Sequence, residues 1–239
     1  MKTFSHSGDL GDIVYALPTI ANLGGGHLVL GPRIKVRVAM TLVQFNNIAP
    51  LLRCQSYLAK VSYCLEPGDV NYNLDQFRRY WAVHLWYGKS IAQFHAEAFN
   101  THLDLDTKPW LFVDMMPKFK SKLVVISRSA RYHNSLFPWA EIVKTYQDWL
   151  VFVGTFSEWK DFCNRFGTVE YYPTVNLLDV ARLIATCDLF IGNQSCPYAI
   201  AEGLKKSVIQ EVYIADPNCM FNRSNAQYAT GRHIEFPAL

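Results

Sequence analysis

Short β-branched runs alternate with longer stretches that are apolar on one side, the rhythm of parallel strands joined by helices. Residues 2–5 read as a first strand and 7–11 as a glycine-containing turn. A mostly apolar helix follows over 12–23, which Pro18 is expected to kink or break. Strands are predicted at 27–30, 35–40 and 60–65, a helix at 43–53, and an irregular aromatic stretch at 66–88. Ser90 is placed to cap a helix over 90–100.

A second unit begins near residue 121, where 122–127 (Lys-Leu-Val-Val-Ile-Ser) has the pattern of a buried strand. Pro138 suits the first turn of the next helix. Strands at 149–154, 168–171, 188–192 and 207–214 then alternate with helices at 157–166, 177–186 and 198–205. The stretch 104–121, with Pro109, Pro117 and three lysines, reads as the break between the units. The expected fold is α/β, with units 1–115 and 116–239 each carrying a parallel sheet. Two such units face each other across a cleft, and clefts at strand C-termini are where these folds bind ligands.

Composition narrows this picture modestly. Half of the 239 residues are hydrophobic and 14% are aromatic, enough to bury a full core. A net charge of +3 neither implies nor excludes nucleic-acid binding. No CxxC pair or zinc-type spacing occurs among the six cysteines, which are expected to be reduced, buried thiols. The N-terminus lacks an apolar signal core, and no apolar run approaches the roughly 18 residues of a membrane span, so a cytoplasmic protein is expected.

Two strand-to-helix turns carry the candidate chemistry. In Gly8-Asp9-Leu10-Gly11-Asp12, neither a dinucleotide fingerprint nor a Walker loop is present. Asp12 in a first helical turn also serves simply as a cap that suits the helix dipole. In Asp188-Leu189-Phe190-Ile191-Gly192-Asn193-Gln194-Ser195-Cys196-Pro197, the helix N-terminus offers free N–H groups to a diphosphate, and Ser195 adds a hydroxyl. An ordinary βα turn accounts for the same residues. Asp104-Leu105-Asp106 mimics a metal-binding DxD, but it lies in the connection rather than after a strand.

Taken together, the two turns resemble a known family. Gly11-Asp12, four residues, then Leu17-Pro18-Thr19-Ile20 is similar to the N-terminal signature of the heptosyltransferase-like glycosyltransferases, family nine. The run from Leu177 to Asn193, a helix leading into a strand that ends in Gly-Asn, looks like that family's donor-side stretch, and Pro197 falls where the family has its proline. The likeness covers 1–23 and 122–210. It implies a GT-B-like architecture of two facing Rossmann-type domains, acceptor-side then donor-side. It also implies transfer of a hexose or heptose from a nucleotide sugar to an acceptor hydroxyl, with inversion and without a cofactor or metal.

By that resemblance, Asp12 is the general base and His6, Asp9 and Gly11 lie on the acceptor side. Asn193, Gln194 and Ser195 belong to the donor loop; by position, Arg128 and Arg131, just past the 122–127 strand, are candidates to answer the charge of the leaving diphosphate, and Glu202, one turn into the last helix, to hold ribose hydroxyls. A solvated basic loop and a surface or capping acid remain open readings for Arg128, Arg131 and Glu202. The donor loop departs from the family, with Gln194 for Asp, Cys196 for Gly and Ala199 for His. Two alternatives therefore stand: a degenerate, inactive nucleotide-binding relative, or a phage-type enzyme whose acceptor is hydroxymethylated pyrimidine in DNA. For the latter, Arg78, Arg79, Tyr80, Trp81, Trp86 and Tyr87 would steer and stack nucleic acid unless the aromatics are core.

Overall fold

A computed structural model of the chain describes residues 1–32, 40–66, 68–79 and 88–238. Among them run two separate parallel sheets. The first holds β1 (Thr3–His6), β2 (Gly26–Leu30), β3 (Leu58–Tyr63) and β4 (Tyr72–Asn73) in the order β3-β2-β1-β4. The second holds β5 (Val124–Ser127), β6 (Leu150–Phe152), β7 (Glu170–Tyr171), β8 (Leu189–Asn193), β9 (Val208–Glu211) and β10 (Ala226–Ala229) in the order β10-β9-β8-β5-β6-β7.

Each sheet reverses its winding at one point, between β1 and β4 and between β5 and β8. Loops on either side of such a point diverge and leave a crevice at the strand C-termini. The loop after β1 and the loops after β5 and β8 are the ones that carry the candidate chemistry.

The helices are α1 (Leu10–Asn22), α2 (Leu42–Arg53), α3 (Ile91–Ala98), α4 (Trp139–Tyr146), α5 (Phe156–Phe166), α6 (Leu177–Thr186) and α7 (Cys196–Gly203). Ser90 caps α3 as expected, accepting from the Gln93 N–H. Pro18 does not break α1, which runs on to Asn22. Residues 13–20 are all buried, and packing on both faces offsets the lost backbone bond. The sequence pattern missed two edge strands, β4 and β10, both too short and mixed to show a period. Of the strand expected at 35–40, residues 35–39 lie outside the described residues, and Met40 is not in a strand.

The two units share one apolar core. It runs from Phe4, Val14 and Leu17 of the first to Val125, Tyr198 and Ile200 of the second. Helix α1 packs along α7, and Gly11 is the contact: a Cβ there would sit 3.7 Å from the Cys196 Cα. The connecting segment joins the same core, with Trp110 and Leu111 both donating to the Gly203 carbonyl. All six cysteines are unpaired thiols; Cys187 and Cys219 are buried, whereas Cys54 is exposed, contrary to the expectation for the set.

No helix among the described residues is long and apolar enough to cross a membrane.

Candidate active site

A cavity of about 630 Å³ lies between the two units, within the usual size range of small-molecule sites. Its walls are the first turn of α1, the loop 129–132 after β5, the Gln194–Pro197 turn into α7, and residues 216–219. Most helices here are closed by a side chain: Thr41, Ser90, Thr155 and Asn176 cap α2, α3, α5 and α6. Asp9 and Ser195, at the heads of α1 and α7, make no capping bond. Ser195 Oγ donates instead to the Asn193 carbonyl at 3.1 Å. Two helix N-termini with unclaimed N–H groups therefore converge on one cavity, and each offers partial positive charge.

Asp12 lines this cavity with its side chain 17% exposed. Arg78 Nη2 donates to its Oδ2 at 3.1 Å. Burial raises the Asp12 carboxyl to about 6, against the pull of Arg78. A carboxylate of that pKa accepts a proton readily yet is ionised at neutral pH, as a general base requires.

Behind the pair stands buried Asp75, which accepts from Ser7 N–H at 3.3 Å and Ser7 Oγ at 2.7 Å and lies 3.9 Å from Arg78 Nε. Pairing of β4 with β1, Phe4 opposite Tyr72, brings these residues together. Nothing in the sequence signalled that contact, because 66–88 has no period.

A side chain at Gly8 would displace its neighbours, the buried His6 ring, 2.7 Å away, among them. A Cβ at this position would fall 2.5 Å from Arg78 Nη2 and 3.0 Å from Asp12 Oδ2.

Asp9 also lines the cavity and is held by Arg131, Nη2 to Oδ2 at 3.2 Å, an ion pair across the two units. His6 sits behind the wall, not in it. It is buried, its Nδ1 accepts from Gly8 N–H at 2.9 Å, and its ring stacks near Phe77 and His95. Burial lowers His6 to about 4, so it is neutral support for the turn, set back from the cavity where an acceptor contact was expected.

Arg128, Glu202 and Asn193, expected on the donor side, are not among the residues that line the cavity. Arg128 is buried and bidentate to Glu211, with Nε to Oε2 at 2.9 Å and Nη2 to Oε1 at 3.1 Å. Glu211 is fully buried and also accepts from Trp139 Nε1 and Asn134 N–H, so drawing Arg128 away would strand a carboxylate in the core. Glu202, in the last turn of α7, is fully buried; its Oε1 accepts from Tyr198 at 2.7 Å and its Oε2 lies 3.2 Å from Arg223 Nε. Asn193 is fully buried too, and its amide grips the loop after β5. Its Oδ1 accepts from Ser129 N–H at 3.0 Å, and its Nδ2 donates to the carbonyls of Ser129 and Arg131. The β5–β8 register, Ser127 opposite Gly192, sets this clamp.

Gln194 and Ser195 do line the cavity. The Gln194 amide is fully engaged, donating to the Asp216 carbonyl at 2.8 Å and Asn218 Oδ1 at 3.2 Å and accepting from Tyr213 N–H at 2.6 Å. Gln194 thus ties the turn into α7 to the 213–218 loop.

Asp104 accepts from Thr107, and Asp106 accepts from the distant Asn222 N–H. Among the described residues no group of three His, Cys, Asp or Glu side chains is arranged to hold a metal ion. Arg78 turns inward onto Asp12, and Arg79 is exposed. Tyr80, Trp81, Trp86 and Tyr87 lie outside the described residues.

No family model matches this chain, and no curated protein matches it in sequence. Solved structures do resemble it. The E. coli heptosyltransferase WaaC with ADP superposes with a TM-score of 0.63 at 10% identity, over 95% of this chain and 92% of that one. A family 9 glycosyl transferase from Veillonella parvula gives 0.61 at 10% identity, over 93% and 85%. The E. coli ADP-heptose LPS heptosyltransferase II gives 0.51 at 10%, over 97% and 92%. The fold, two parallel-sheet units with a cavity between them, is therefore that of GT-B glycosyltransferases.

Proposed function

We propose that this protein is a glycosyltransferase that moves a sugar from a nucleotide-sugar donor to an acceptor hydroxyl, with residues 1–115 as the acceptor side and 116–239 as the donor side. The observation that carries the reading is Asp12: a carboxylate of raised pKa, in a cavity, opposite the uncapped N-terminus of α7. Support comes also from the fold, since three structures of the same architecture are named as glycosyl- or heptosyltransferases, one with ADP bound.

In this mechanism the diphosphate lies at the head of α7, where the N–H groups of the first turn and the Arg131 guanidinium meet its charge. The acceptor oxygen attacks the anomeric carbon from the face opposite the diphosphate. The carbon–oxygen bond to phosphate breaks, its electron pair leaves with the nucleoside diphosphate, and the acceptor proton passes to Asp12. Configuration at the anomeric carbon inverts. Cations for the leaving group come from the chain itself, so the reaction is proposed to be metal-independent.

The test is mass spectrometry of UDP-, ADP- and GDP-sugars incubated with the purified protein and candidate hydroxyl acceptors, hydroxymethylated DNA among them. Acceptor-dependent release of one nucleoside diphosphate is expected. If every donor is recovered intact and none is retained on the protein, the proposal fails.

A further inference from the structure

Tyr132 is an unusual residue for its place. Its backbone is left-handed, with φ at +60°, where a side chain bearing a Cβ meets steric resistance. Burial does not explain the choice, because the residue is 37% exposed. What holds it there is the Asn193 clamp on the carbonyls of Ser129 and Arg131, immediately before it.

The ring is braced in turn. Tyr213 lies 5.5 Å away in a tilted pair, and the Arg131 guanidinium sits 5.2 Å from the ring centre. It lines the cavity together with Asp12 and Ser195. Its hydroxyl is raised above the ordinary phenol value by burial, with Arg131 opposing and the charges of Asp9, Asp12 and Asp216 adding. Its loop is tied by Asn193 to the strand that leads into α7.

We propose that Tyr132 is a specificity-determining residue whose ring is the wall against which the transferred sugar packs, between the diphosphate at the head of α7 and Asp12. This rests on the nucleotide-sugar reading given above. The chemistry is that of any saccharide subsite. A pyranose has an apolar C–H face that packs on an aromatic ring, and polar edges that a phenol hydroxyl can bond. A strained, exposed aromatic held by three separate contacts is what such a wall requires, since a ring free to swing would lose part of its binding to ordering.

The experiment compares Tyr132→Gly and Tyr132→Asn with wild type. Both replacements tolerate a left-handed backbone, which offsets the loss of the ring's contacts, so both variants should remain folded at the assay temperature. Calorimetry is run with UDP-glucose against UDP, ADP-heptose against ADP and GDP-mannose against GDP. Wild type should bind its preferred nucleotide sugar more tightly than the matching diphosphate. Both variants should lose about three- to tenfold of that advantage while holding the bare diphosphate as before. Tyr132→Phe should keep most of it.

If the variants retain the full sugar advantage, the inference is wrong and the donor-site reading stands. If they instead weaken the bare diphosphate equally, Tyr132 reads the nucleotide and the inference is again wrong. If wild type binds none of the six probes, both the inference and the reading beneath it fall.

Discussion

Arg78 places Nη2 3.1 Å from Asp12 Oδ2, although the two residues are 66 apart in the chain. Without that guanidinium, burial alone would drive the carboxyl above its present value of about 6, because Arg78 is the main influence pulling it down. Arg78→Met should therefore shift the acid limb of the kcat/KM profile to higher pH, and Arg78→Lys should bring it part of the way back. An acid limb unmoved in Arg78→Met would show that Arg78 does not set the charge of Asp12.

Asp12→Asn should lower turnover by roughly 10²–10⁴, the usual worth of a general base, while leaving nucleoside diphosphate binding near wild type. It should also separate function from stability. Because the folded pKa is raised to about 6 from 3.8, the native state holds this proton more tightly than the unfolded chain does. Wild type should lose stability as pH rises from about 4 to about 6 through ionisation of this group, and the Asn variant should not show that component. Thermal unfolding of the two proteins across this range is the check, and parallel curves would contradict it.

Arg128 and Arg131, three residues apart, should behave oppositely. Removing Arg128 leaves buried Glu211 uncompensated, so Arg128→Met should destabilise the fold by about 3–5 kcal/mol. The folded fraction should bind diphosphates normally. Arg131→Met should leave melting nearly unchanged, since its ion pair with Asp9 is largely solvated, and should weaken diphosphate binding. A loss of about 1–2 kcal/mol is expected, as for an exposed charged hydrogen bond.

The Asp9–Arg131 pair also makes a carboxylate compete for the cation that the diphosphate needs. Asp9→Asn should accordingly tighten diphosphate binding, with the gain shrinking at high salt. Titration at two ionic strengths measures this directly, and weaker binding in the Asn variant would mean that Asp9 contributes to the site in another way.

Activity should survive EDTA, because the positive charge is supplied by Arg131 and the head of α7. Complete loss with chelator, restored by magnesium or manganese, would overturn the metal-independent mechanism.

Local pattern and turn chemistry made much of this molecule legible without coordinates. Buried parallel strands read as β-branched runs, and Ser90 caps its helix in any setting, so the two α/β units and the turns at Asp12 and Ser195 were visible in the chain. Which polar side chains face the cavity was not, because that depends on long-range pairing. Arg128 and Arg131 look alike in sequence, yet one meets Glu211 from a strand 83 residues away and the other meets Asp9 from the opposite unit, 122 residues away. Arg78 reached Asp12 only because the two-residue strand β4 docks beside β1. Glu202 became a core residue because Arg223 and two tyrosines close over it. Sequence periodicity records which face of an element is apolar; the partner of each charge is decided by tertiary packing, which leaves no period to read.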